Sequence, residues 1–123
     1  MGEVFVFGSN LAGRHGKGAA LHAMTLGAVR GIGEGRMGDT YALPTKDRSI
    51  RTLPLDEIER RSVANFLAYA RAHSSDTFRL TPVGCGLAGY KPEQIAPMFR
   101  GAPPNVILPP EFTAVLEAPR HDQ

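Results

Sequence analysis

Two glycine-rich segments of this sequence could bind a ligand through their backbone N–H groups. Residues 8–18 and residues 84–90 each follow a β-prone run, and each leads into a helical pattern. Because glycine has no Cβ, the backbone N–H groups of such loops can approach a phosphate closely, and a helix N-terminus presents further unpaired N–H groups. The two segments therefore predict two backbone cradles, which together would suit a diphosphate.

The familiar nucleotide motifs do not account for these glycines. A Walker loop needs Gly, four residues and then Gly-Lys-Ser/Thr, whereas Gly13 stands at that spacing from Gly8 and is followed by Arg14 and His15. The dinucleotide fingerprint is matched only in part, because Leu21 stands where its third glycine belongs. Walker-type ATP hydrolysis is therefore not expected, and the glycines could also serve only as turns.

Polar side chains at the predicted strand ends are the candidates for direct chemistry. Asn10 could cap a turn or contact a ligand. Lys46 and Asp47 could form a surface ion pair; alternatively, Asp47 is a general base or ribose anchor, and Lys46 is a phosphate partner or nucleophile. His15 and Lys17 could be solvated loop residues or phosphate contacts. The catalytic candidates are Asn10, Lys46 and Asp47.

The cysteine and the remaining histidines add no further chemistry. Cys85 lies between two glycines, where a nucleophile could sit, but no histidine is placed by the sequence to activate it, and a small residue suits the turn. His22, His73 and His121 show no metal-ligand spacing. Neither a metal nor a cofactor is expected.

Length and charge bound the domain and its partners. The 123 residues fit one domain, which we assign to residues 1–117, with a flexible tail at 118–123. Fourteen Lys and Arg against twelve Asp and Glu give a net charge of +2, too weak for nonspecific nucleic-acid binding.

The single cysteine indicates a reducing, cytoplasmic setting. No apolar run approaches the length of a membrane span and there is no leader, so no membrane partner is expected.

The order of the elements predicts an α/β domain. Apolar periodicity predicts strands at 3–7, 40–43, 49–53, 77–83 and 105–108, helices after Gly18, Pro54 and Lys91, and a last helical turn at 111–116. The glycines of residues 27–38 predict a mobile loop. Strands that alternate with helices indicate a three-layer α/β/α sandwich with a mostly parallel sheet, in which ligands bind beyond the carboxyl ends of the strands.

The sequence around both loops resembles the macro-domain family. FGSN at 7–10, followed by GKGAA at 16–20, is similar to that family's first ligand loop, in which a strand ends in Asn and a glycine run starts a helix of small residues. GLAGY at 86–90 is similar to the second loop, which ends in an aromatic residue. The resemblance covers residues 4–108, most of the chain.

The resemblance implies a macro-type fold that binds ADP-ribose or a similar nucleotide, free or attached to a macromolecule. Some members hydrolyse ADP-ribosyl linkages; the alternative is a nucleotide-binding module without catalysis. By resemblance, Asn10 would contact the distal ribose and the second loop would surround the diphosphate. Taken together, the two loops, the strand ends and the resemblance predict these ligand-binding residues: Gly8, Ser9, Asn10, Gly13, Arg14, His15, Gly16, Lys17, Gly18, Ala19, Thr45, Gly84, Cys85, Gly86, Leu87, Ala88, Gly89 and Tyr90.

Two features depart from the macro pattern. The family's Gly-Asp-Ile-like segment, whose Asp holds the adenine amino group, has no counterpart in residues 1–3. The first loop carries Arg14, His15 and Lys17 where many macro domains have small residues. These side chains would favour an exposed phosphate.

Overall fold

The computed structural model describes residues 2–118 as an α/β fold built on a five-stranded mixed sheet. The strands are β1 (Glu3–Asn10), β2 (Gly35–Met37), β3 (Thr40–Lys46), β4 (Thr77–Leu80) and β5 (Val106–Ile107). Their order in the sheet is β2-β3-β1-β4-β5. β1 pairs in parallel with β3 and β4, β4 pairs in parallel with β5, and β2 is an antiparallel edge strand. The predicted α/β class and mostly parallel sheet are confirmed.

The helices follow the predicted positions and differ in detail. They are α1 (Gly18–Ala23) with a 3₁₀ turn at Met24–Leu26, α2 (Leu55–Glu57), α3 (Ala64–Ala72), α4 (Pro92–Ile95) with a 3₁₀ turn at Ala96–Phe99, and α5 (Pro110–Glu117). A π-helical stretch, Ile58–Val63, joins α2 to α3, so the helix predicted after Pro54 is one continuous segment. Within residues 2–118, no helix has the length and apolar character needed to cross a membrane. The predicted tail lies outside the described residues, apart from Ala118.

Alternation along the central strand sends side chains to both faces of the sheet. Val4 and Val6 belong to a large apolar cluster with residues of α3, α4 and α5. Phe7 belongs to a smaller cluster, against which Phe5 and residues of α1 pack. Helices therefore cover both faces, an arrangement compatible with an α/β sandwich.

The parallel strands differ from the prediction at their carboxyl ends. Gly8, Ser9 and Asn10, expected in a loop, continue the β1 ladder and pair with Leu43, Pro44 and Lys46 of β3. The register shifts between Ser9 and Asn10, next to Pro44, and such an irregularity is where a strand tolerates proline. β4 ends at Leu80 rather than Val83. The strand predicted at 49–53 is reduced to a single bridge between Lys46 and Thr52.

The prediction of a loop at residues 27–38 is wrong for residues 35–37, which form a strand. The segment contains β2 and packs against the first glycine loop, where the Gly31 N–H donates to the Gly13 carbonyl at 2.9 Å. A Cβ on Gly33 would lie 2.0 Å from the Asn10 carbonyl oxygen, and one on Gly13 would lie 2.3 Å from the Gly31 carbonyl carbon. The glycines therefore allow two backbones to approach closely, which holds the segment in place.

This close approach can be tested with two matched glycine substitutions. Gly33→Ala should lower the free energy of unfolding by about 2 kcal/mol or more, because its Cβ overlaps backbone that cannot relax cheaply. A Cβ added at Gly16 would have no atom within 4 Å, and Gly16 has no positive φ, so Gly16→Ala should leave stability unchanged or slightly raised. Urea denaturation measures both. Equal effects would contradict the packing described for residues 27–38.

Candidate functional site

A cleft of about 610 Å³ lies at the carboxyl ends of the central parallel strands. Its size falls within the range of small-molecule sites, and its position is where open α/β sheets bind ligands. The lining residues come from β1 and the loop after it, from the start of α1, from β3 and its turn, and from the segment after β4: Gly8, Ser9, Asn10, Arg14, Gly16, Lys17, Gly18, Ala19, Ala20, Thr45, Lys46, Ile50, Thr81, Pro82, Val83, Gly84, Cys85, Gly86, Leu87 and Ala88.

Three backbone segments meet at the ends of these strands. A Cβ on Gly8 would lie 3.6 Å from the Gly84 nitrogen and 3.7 Å from Thr45 Oγ1. Gly84 has φ +78°, and a Cβ there would lie 3.1 Å from Cδ1 of Ile95 in α4. A side chain at 84 would therefore be both strained and crowded, so this glycine lets the second loop pack between β1 and α4.

The first loop is held by the side chain of Asn10. Asn10 Nδ2 donates to the Arg14 carbonyl at 2.9 Å, and the Arg14 N–H donates to Asn10 Oδ1 at 3.0 Å. Each amide atom keeps one further hydrogen-bonding position, and Asn10 lines the cleft. The turn-capping and ligand-contact interpretations of Asn10 are therefore compatible with each other.

Gly13 and His15, both expected at the ligand, lie outside the cleft lining. His15 is 3 % exposed, and its Nε2 lies 3.0 Å from the Val29 carbonyl oxygen and 2.9 Å from that of Ile32. Its ring packs edge-on against Phe7, and its buried Nδ1 has no hydrogen-bond partner among the described residues. His15 braces the loop against residues 29–32.

The side chains of Ser9 and Thr45 are likewise engaged with the backbone. Ser9 Oγ donates to the Gly33 carbonyl, and Thr45 Oγ1 donates to the Ser9 carbonyl at 3.4 Å. Both residues are buried and line the cleft. They tie the ends of β1 and β3 to their surroundings.

The charged side chains that line the cleft are all cationic. They are Arg14, Lys17 and Lys46, and no Asp, Glu or His lines it among residues 2–118. None of the three forms an ion pair with a described carboxylate, so the ion pair that was one interpretation of Lys46 and Asp47 does not form. Three cationic residues in the lining favour an anionic ligand.

Asp47, the candidate general base, closes a turn beside the cleft and does not line it. Its Oδ1 accepts hydrogen bonds from the backbone N–H of Ser49 at 2.8 Å and of Arg51 at 3.0 Å. The Asp47 N–H donates to the Arg51 carbonyl at 2.8 Å. A turn of this kind is a common use of Asp, whose carboxylate bonds the backbone two residues ahead.

The second loop contributes residues 84–88 to the cleft, whereas Gly89 and Tyr90 lie outside the lining. Tyr90 OH donates to the Leu53 carbonyl at 2.7 Å, and Thr52 Oγ1 donates to the Ala88 carbonyl at 3.0 Å. These two bonds connect the loop to the segment after β3. Leu87 is 69 % exposed, and it is the largest apolar side chain that the loop presents.

Cys85 lines the cleft and is a poor nucleophile. Burial raises the pKa of its thiol to about 11, and the carboxylates of Glu111 and Glu93 act in the same direction. Sγ donates to the Val83 carbonyl at 3.6 Å. At neutral pH the thiol is protonated, in keeping with the role of a small residue at a turn.

The cleft also includes residues that the sequence did not single out. Thr81, Pro82 and Val83 stand in a predicted strand, and Ala20 belongs to the GKGAA motif without being a predicted ligand-binding residue. Ile50 carries no chemical signal in the sequence. Because β4 ends at Leu80, a predicted strand that stopped there would have placed Thr81, Pro82 and Val83 in the segment before the second loop.

Comparison of the chain with protein-family models, with curated proteins and with solved structures finds no match. Across residues 2–118, no group of three or more His, Cys, Asp and Glu side chains is arranged to hold a metal ion. The site is therefore defined by its own geometry: a cleft between two glycine loops at the carboxyl edge of the parallel strands, with Arg14, Lys17 and Lys46 in its lining.

The protonated thiol leads to a testable pH dependence. With a pKa of about 11 instead of the ordinary 9.0, the Cys85 thiolate fraction at pH 8 falls about 100-fold, and the greater reactivity of a more basic thiolate recovers only part of this. Iodoacetamide should therefore alkylate the folded protein at least about tenfold more slowly than the urea-unfolded protein. Mass spectrometry follows the reaction. Equal rates in the two states would contradict the described environment of Cys85.

Proposed function

We propose that this protein binds ADP-ribose or a related nucleotide diphosphate ribose in the cleft, as a macro-type domain. The observation that carries the proposal is the combination of two glycine loops with Arg14, Lys17 and Lys46 around one cleft that no acidic side chain of residues 2–118 lines. Glycine loops offer backbone N–H groups, and lysine and arginine offer charge. A diphosphate can accept hydrogen bonds from the backbone and pair with the cationic side chains.

The diphosphate fits between the two loops. Gly16, Gly18 and Gly86 line the cleft, and no atom lies within 4 Å of a Cβ built on any of them. The backbone at these positions is therefore accessible to phosphate oxygens. Both loops are braced by hydrogen bonds, the first through Asn10 and the second through Thr52. Binding would then cost little ordering of the chain.

The terminal ribose fits beside Asn10 and Lys46. These residues face each other in the register of β1 and β3, and the Leu11 N–H donates to the Lys46 carbonyl at 2.9 Å. The amide positions of Asn10 that do not hold Arg14 can bond ribose hydroxyls. The contact of Asn10 with this ribose is the one that the macro-domain resemblance implies.

The cleft favours binding over hydrolysis. Among residues 2–118, it is lined by no carboxylate or imidazole that could act as a general base. Asp47 lies outside the lining and holds a turn, and burial keeps the pKa of Cys85 at about 11. We therefore propose a binding module for a nucleotide signal, or for ADP-ribose attached to a macromolecule.

The second loop can be tested with a substitution that the fold tolerates. Gly86→Val should weaken ADP-ribose binding at least about tenfold, because the side chain fills the space where phosphate meets backbone. Gly86 and Gly101 both have open space at Cβ and lack a positive φ, and only Gly86 lines the cleft. Gly101→Val is therefore the matched control. Calorimetry should show lost affinity for the first variant only; unchanged affinity for both would remove the second loop from the site.

Turnover separates the binding module from a hydrolase. Mono-ADP-ribosylated protein and DNA, incubated with stoichiometric amounts of this protein, should keep their label while free ADP-ribose binds. Chromatography of released ADP-ribose is the readout, with Lys46→Ala as a control for contaminating activity. Release by the wild type that disappears in Lys46→Ala would contradict the assignment as a non-catalytic module.

A further inference from the structure

Ile50 has a backbone conformation that its side chain disfavours. Its φ is +64°, and it is the one residue other than glycine with positive φ among residues 2–118. A β-branched residue in the left-handed region is a genuine outlier, and such strain persists only where the surroundings impose it. Ile50 also lines the cleft.

The surroundings that impose this conformation are the bonds of Asp47. The carboxylate accepts from the N–H groups on both sides of Ile50, at Ser49 and Arg51. The Ile50 N–H donates to the Asp47 carbonyl at 3.1 Å, and the Asp47 N–H donates to the Arg51 carbonyl at 2.8 Å. Asp47 thus fixes the turn that carries Ile50.

The turn that carries Ile50 begins and ends next to the carboxyl end of β3. The turn begins at Lys46, which pairs with Asn10 in the sheet, and it returns at Thr52, which bridges back to Lys46. Thr52 Oγ1 also bonds the Ala88 carbonyl. Ile50 therefore lines the cleft from the turn that Lys46 and Thr52 close.

We propose that Ile50 determines specificity for the terminal ribose of the ligand, packing its apolar side chain against the C–H face of the sugar. Asp47 is the positioning residue that holds Ile50 there. The inference rests on the proposed function, because the terminal ribose is placed beside Asn10 and Lys46. It explains why a strained isoleucine occupies a turn that glycine or asparagine would fill without strain.

The experiment compares ADP-ribose with ADP, which lacks the terminal ribose, in wild type and Ile50→Gly. The substitution relieves the strained φ, so the melting temperature should stay the same or rise by a few degrees. Affinity for ADP-ribose should fall by about 5- to 10-fold, while affinity for ADP should change less than about twofold. Calorimetry measures both ligands. Ile50→Ala, which keeps a Cβ and removes the rest of the side chain, should show the same difference between the ligands.

The positioning role of Asp47 has its own readout. Asp47→Ala should reproduce the selective loss of ADP-ribose affinity. Asp47→Asn should keep the wild-type affinity, because the amide retains the Oδ1 acceptor. In the double variant, Asp47→Ala should cause no further loss beyond that of Ile50→Gly. Equal losses for ADP and ADP-ribose, or no loss, would overturn the role of Ile50 while the proposed function stands. Failure of wild-type protein to bind ADP-ribose would overturn the proposed function and this inference together.

Discussion

The parallel pairing of β1 with both β3 and β4 is the constraint on which the cleft depends. It brings the carboxyl ends of the three strands to one edge of the sheet, so the segments that follow them meet there. The meeting is close enough that Gly8 and Gly84 approach through their backbones. A side chain at 84 would meet Ile95 at 3.1 Å, so the same glycine that shapes the second loop also seats it on α4.

The two loops are braced by different contacts. The first is braced by contact with residues 29–33, by the buried ring of His15 and by both amide atoms of Asn10. The second is tied by Thr52 and Tyr90 to the segment after β3. Loops that are already ordered lose little conformational entropy when a ligand binds. The cleft combines these braced loops with cationic residues at the end of β3 and in the first loop, an arrangement suited to the anionic ligand that we propose.

The elements were more predictable from the sequence than the contacts between them. The β-prone run at residues 3–7 was sufficient to predict the central strand, whose valines and phenylalanines pack on opposite faces, and the glycines marked both loops. The bracing of residues 27–38 was not predictable, because it depends on which glycine backbones meet in space rather than on how many glycines a segment contains.

In the candidate site too, the sequence predicted which segments take part better than it predicted the contacts of each side chain. Asn10, Lys46 and most residues of both loops line one cleft, as the strand-end argument required. His15 and Asp47 do not, since one is buried in a loop brace and the other closes a turn. Ile50 gave no signal at all: a β-branched residue is disfavoured in the left-handed conformation, so sequence preferences argue against the turn that it occupies.

The location of ligand binding is the most direct test of this account. In an NMR titration of the ¹⁵N-labelled protein with ADP-ribose, the amide resonances of Gly8, Gly18 and Gly86 should shift in a saturable manner, while that of Gly101, away from the cleft lining, should stay in place. Saturable shifts confined to the residues that line the cleft and to the turn at residues 47–51 are the result expected. No shifts at millimolar ADP-ribose, or shifts confined to residues outside the cleft, would contradict the assignment of the cleft as the ligand site.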